Sequence, residues 1–161
     1  MSGFVLVAVS ALLICGCSEE IDGRVVSAWS PSQVAALPDT IALSGMDVSI
    51  RAYAGRDFMP MAPPDGRPLG VSADLIGTPS GPLAFTPSRP ILYVILDDRM
   101  WMVSAESMRP AENATELWRF YAINGPKWGP GVPVSVVVEF GDEAGNRHRV
   151  VARNVNISRS D

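Results

Sequence analysis

The chain of 161 residues carries 13 Lys and Arg against 17 Asp and Glu, a formal net charge of −4 spread without any block of like charge. That distribution excludes a nucleic-acid surface, which needs clustered cations to neutralise phosphates. Its cysteines, Cys15 and Cys17, both lie near the start, so the rest of the chain has no internal disulfide and must be stabilised by core packing.

The first element is an apolar run, Phe4 to Ile14, closed by Ile14-Cys15-Gly16-Cys17. A membrane-spanning helix needs about 20 apolar residues, so a run this short followed by small residues reads as a secretory signal. The closing tetrapeptide resembles the box that ends bacterial lipoprotein signals: a branched aliphatic, two tolerant positions of which the second is small, and an obligatory Cys. Cys15 does not fit as acceptor, because Ile14 would then occupy the small-residue position. The resemblance implies cleavage after residue 16, lipid on Cys17, and attachment of the protein to the bacterial cell envelope. Ser18 follows Cys17 where Asp would mark inner-membrane retention, which points to outer-membrane delivery, facing the periplasm or the cell surface. Residues 17–23 form a short polar tether, and 24–161, roughly 140 residues, is the size of one domain.

From Arg24 onward, apolar runs of strand length alternate with Gly, Pro and Asp punctuation, and no long stretch carries a helical stripe. Strands are predicted at Arg24–Trp29, Met46–Tyr53, Val71–Ile76, Ile91–Leu96, Met100–Val103, Leu117–Ile123, Val132–Phe140 and Arg147–Ala152, with Asn154–Ile157 ending the sheet. The clearest is Val132–Phe140, which places Val134, Val136, Val138 and Phe140 on one face and Ser135, Val137 and Glu139 on the other. Asp142 and Gly145 suit a tight turn into Arg147–Ala152. Ile91–Leu96 is apolar on both faces and reads as a central strand. Short helical turns are expected at Pro31–Leu37, capped by Ser30, and at Ala105–Arg109. Eight of the 14 prolines lie between Pro60 and Pro90, which makes that stretch edge, loop or connection. Short strands with turn signals near every tenth residue predict an all-β fold: an antiparallel two-sheet sandwich of immunoglobulin or fibronectin III character.

Three segments, Arg56-Asp57-Phe58-Met59-Pro60, Pro63 to Leu69, and Gly125 to Gly131 leading into Val132–Phe140, make the domain resemble the small immunoglobulin-like domains of bacterial lipoproteins. That resemblance is architectural and implies no activity, because such sandwiches host adhesion, ligand binding and structural roles alike.

Few residues suggest chemistry. His148 is the only histidine and lies mid-strand, with no Gly-x-Ser-x-Gly elbow or reactive cysteine to pair with it. Asp97 and Asp98 read as turn acceptors rather than a paired acid and base. Arg56 and Asp57 read as a local ion pair on a loop. Met59 and Met61, and Met100 and Met102, each set two thioethers on one side of an extended chain, and soft thioethers select Cu(I). Core packing explains methionines better, since the unbranched thioether fills irregular gaps, and packing is the expectation here. Trp128, in a rigid Gly and Pro loop, reads as a plug at the end of the sandwich, with a sugar or partner platform as the alternative. The expectation is a lipid-anchored, non-enzymatic interaction or structural module with no cofactor. Its expected partners are the membrane, through the N-terminal lipid, and an envelope protein. The alternatives are a methionine-based Cu(I) protein and a carbohydrate-binding module using Trp128.

Overall fold

A computed structural model describes residues 23–80, 83–108 and 118–161. The signal segment 1–16, Cys17 and the tether to residue 22 lie outside the described residues, as do Arg109 and Leu117.

The chain is all-β: β1 (Arg24–Ser27), β2 (Thr40–Leu43), β3 (Met46–Asp57), β4 (Leu69–Thr78), β5 (Ser88–Leu96), β6 (Arg99–Ser104), β7 (Glu106–Met108), β8 (Trp118–Gly125), β9 (Pro133–Gly141) and β10 (Arg147–Ser160), with one short helix, α1 (Pro31–Ala35). They form one curled sheet in the order β1-β6-β5-β9-β10-β3-β4-β8-β7, with β2 paired to β3. The period-two pattern of β9 is met: Val134, Val136, Val138 and Phe140 are buried in the main core, while Val137 and Glu139 face the opposite side. Asp142 and Gly145, the latter with φ of 84°, make the turn into β10. β5 is central, between β6 and β9, as its two apolar faces require.

The sheet is mixed, which corrects the antiparallel expectation. β10 runs antiparallel to β9 as far as Asn156, then parallel to β3 from Ile157 to Ser160. Within the antiparallel ladder, shortly before the change of partner, a bulge interrupts the register between Ala152 and Val155, and Asn154 there takes a φ of 56°. A bulge bends its strand and increases the local twist. The last turn of β10 is thereby carried from the β9 half of the sheet to the β3 half. Inward side chains of both halves, among them Leu75, Leu92, Val94, Trp101, Phe120, Phe140 and Ile157, pack into one core. Trp101 lies against Gly125 of β8, and its buried indole Nε1, beside Gly23, has no hydrogen-bond partner among the described residues.

Two local expectations change and one is met. Glu106–Met108 is a strand rather than a helical turn, because pairing with β8 overrides a propensity that favours neither state. β2 was not expected; it pairs with β3 through the turn Ser44-Gly45, where both residues have positive φ. α1 begins where Ser30 and Pro31 place it, with Ser30 and Gln33 forming a capping box. Although too short to be a layer, α1 and its flanks set Trp29, Val34 and Leu37 over Tyr93, Ile95, Met100, Val137 and Val151, so this half of the sheet is covered on both faces.

Candidate functional site

The three distinctive segments converge on Arg56. Its guanidinium is buried, and instead of pairing with Asp57 it donates to backbone carbonyls of two loops. Nε donates to Arg67 O at 2.9 Å, and one terminal nitrogen to Gly129 O at 2.8 Å and Lys127 O at 3.2 Å. The other terminal nitrogen donates to Asp65 O. Neighbouring residues on a strand point to opposite faces, so Asp57 turns outward and pairs with Arg67 at 3.1 Å. The Phe58 ring lies between two guanidiniums, 5.0 Å from Arg56 Cζ and 4.2 Å from Arg159 Cζ. Gly66, with φ of 75°, packs so closely on that ring that a Cβ would come within 2.6 Å of it.

Trp128 hangs from this clamped loop. It is 8% exposed, belongs to the main core, and lies 5.3 Å from the Arg99 guanidinium carbon, which is the geometry of a plug. The four methionines are not brought together. Met59 and Met61 stand exposed on the loop after β3, whereas Met100 is buried and Met102 partly buried on β6, under the segment that carries α1. Three strands separate β6 from β3 in the sheet. Among the described residues, no group of three or more His, Cys, Asp or Glu is placed to hold a metal ion.

Buried charge is neutralised locally. Glu139 accepts from Arg147 Nε at 3.0 Å and Arg149 Nε at 2.5 Å, and from the Tyr93 hydroxyl at 3.2 Å. Burial pushes the Glu139 carboxyl up, but the two guanidiniums outweigh it and hold the group below its ordinary value. Asp74 is held by Arg119 through two bonds, at 2.6 and 2.9 Å. His148 Nε2 lies 2.9 Å from Asp142 Oδ2 rather than beside a nucleophile. Asp97, with φ of 53°, and Asp98 form the turn between β5 and β6.

Two surface cavities among the described residues are of similar size. One, about 340 Å³, lies between α1 and the sheet, and Arg153 beside it bonds the carbonyls of Val34, Ala35 and Leu37 at the end of α1. The other is a shallow shelf of about 350 Å³ on the outer face of β3, β4 and β8. Strand register builds it: Tyr53 pairs with Ser72 and Ser72 with Tyr121, so the two tyrosines flank a serine on one face, about 10 Å apart at two strand spacings. Beside that row Gly55 pairs with Gly70, and these glycines form the floor. Ser158 closes one end and Ile123 the other. Tyr53 is 51% and Ile123 65% exposed. The shelf is the candidate site. Sequence analysis missed it because its residues come from four strands and meet only through pairing.

No helix among the described residues is long and apolar enough to cross a membrane. Comparison of the chain with protein-family models, with curated proteins and with solved structures finds no match.

Proposed function

We propose that this chain is a lipid-anchored, non-enzymatic module of the bacterial cell envelope, held by Cys17 and presenting an immunoglobulin-like sandwich to a partner or ligand. The observation that carries the reading is the shelf between Tyr53 and Tyr121. It leaves aromatic and aliphatic side chains open on the middle of a sheet whose other half is covered on both faces. The sandwich reading draws support from two sheet halves that share one core and from β10, which passes between them.

The non-enzymatic reading draws on the state of the buried charges. Arg56 is taken up by carbonyls, Asp74 by Arg119, and Glu139 by Arg147 and Arg149, which leaves none of them poised as acid, base or nucleophile.

Anchoring rests on the sequence Ile14-Cys15-Gly16-Cys17. Acyl chains contribute about 0.8 kcal/mol per buried methylene, and more than one chain makes attachment stable. Cell fractionation of wild type and Cys17→Ser tests it. The wild type should sediment with membranes, preferentially outer membranes in a Gram-negative host, while Cys17→Ser should be soluble or unprocessed. A Cys17→Ser chain that matures and stays in the membrane like wild type would overturn the anchor.

A further inference from the structure

We infer that the shelf between Tyr53 and Tyr121 binds a neutral saccharide, a pyranose unit of an envelope glycan, with Gly70 keeping its floor open. The inference deepens the proposed function and rests on it for the ligand's location, though the binding chemistry is independent of the anchor.

Gly70 is the most telling residue. A glycine inside a strand is a stability cost, so it calls for a reason. Two ordinary reasons fail here, and the third, a bulge, is separated from the shelf by the melting of Gly70→Ala. Its φ is not in the left-handed region, although the register of β4 against β8 shifts at this position. A Cβ would meet nothing nearer than Gly55 O at 3.9 Å and Ala122 O at 4.0 Å. No side chain therefore occupies the space above it. What a side chain at 70 would do is fill the shelf. Gly55 differs, since a Cβ there would come within 2.8 Å of Ser158 Oγ.

The lining sets the ligand's chemistry. Its lining includes Tyr53, Ser72, Tyr121, Ile123 and Ser158, with no charged side chain among them, and the Tyr121 hydroxyl donates to the Glu106 carboxylate beside the shelf, which disfavours an anionic ligand. β4 is paired on both sides, to β3 and to β8, so no backbone edge is free to hold an extended peptide by strand addition. Two chemistries remain, tyrosine rings and hydroxyls. The Ser72 hydroxyl makes no hydrogen bond among the described residues, while the Ser158 hydroxyl donates to Ala54 O at 3.0 Å and retains acceptor capacity. A pyranose offers the complement to both: an apolar C–H face for an aromatic ring and equatorial hydroxyls for the serines. The two tyrosines stand two strand spacings, about 10 Å, apart with Ser72 between them.

The test uses the full chain, purified in a detergent without a sugar headgroup and titrated with chitotetraose and with cellotetraose while ligand protons are read by saturation-transfer NMR. At least one tetrasaccharide should bind, with a dissociation constant on the order of 0.1–1 mM. Tyr53→Ala should weaken that binding by about tenfold or more. Gly70→Ala should weaken it comparably while melting no lower than wild type. Absence of binding by wild type at about 10 mM overturns the inference. So does binding that both substitutions leave unchanged. The anchor is scored separately: saccharide binding by a chain that fails the Cys17→Ser fractionation would sink the envelope reading and keep the shelf, and the reverse result would keep the anchor and sink the shelf.

Discussion

Arg56 donates to the carbonyl oxygen of Gly129 at 2.8 Å, a bond between residues 73 positions apart that ties the end of β3 to the loop carrying Trp128. The same guanidinium binds Arg67 O and Asp65 O, so a single side chain sets two loops against each other. Only a planar fork with several N–H groups can reach carbonyls in these directions at once; an ammonium on a flexible stem cannot.

Arg56→Lys should therefore fail to substitute. Each buried carbonyl stripped of its donor costs about 1–3 kcal/mol, partly recovered by water, so the expected loss is roughly 3 kcal/mol. In a domain of this size that lowers the melting temperature by about 6–12 °C. Hydrogen exchange should quicken at the amides of Trp128 and Gly131, which bond Pro126 O and Ile157 O, before it quickens in β9. An Arg56→Lys melt equal to that of wild type would show that the clamp contributes nothing.

The clamp also marks the boundary of what the sequence discloses. Period-two alternation was enough for β9 and its hairpin, because Val134, Val136 and Val138 leave one register that buries them. Ser30 and Pro31 located α1, since a cap and its first residue are local chemistry. The sequence suggests Arg56 as half of an ion pair with Asp57 because its actual partners are carbonyl oxygens, which every residue carries and no letter distinguishes. The parallel segment of β10 escaped for a similar reason. Asn154 hints at a left-handed residue, but which strand Ile157–Ser160 joins is decided by packing across the sheet. Glu106–Met108 shows tertiary pairing overriding a weak local preference.

The hairpin between β9 and β10 should respond to acid. Hydrogen bonds from His148 and then Asn146 lower the Asp142 carboxyl from its ordinary 3.8 to about 2. A depressed folded value means that the ionised carboxylate stabilises the folded state above pH 3.8 and that this contribution is lost as pH falls through about 2. Asp142→Asn keeps an acceptor for the turn but has no charge to lose. Melting curves of both proteins between neutral pH and pH 2 measure the difference: wild type should melt higher at neutral pH, and the gap should close toward the acid end. A gap that stays constant over that range would mean that the Asp142 charge does not support the turn.

Two strand glycines should give opposite answers to the same substitution. At Gly125 a Cβ would lie 2.7 Å from Cζ3 and 2.8 Å from Cε3 of Trp101, an indole that is itself 1% exposed and enclosed by the core. Neither the ring nor the β8 backbone can yield without moving neighbours, and such overpacking costs about 1–3 kcal/mol. At Gly70 the added methyl meets nothing within 3.9 Å, and removing the backbone freedom of glycine from a strand is worth roughly 0.5–1 kcal/mol. Gly125→Ala should therefore melt several degrees below wild type and Gly70→Ala at or slightly above it. If Gly70→Ala melts lower, its glycine serves the bulge in β4 rather than the open shelf, and the strand has a structural reason for its missing side chain. If Gly125→Ala melts unchanged, Trp101 is less tightly enclosed than its burial implies.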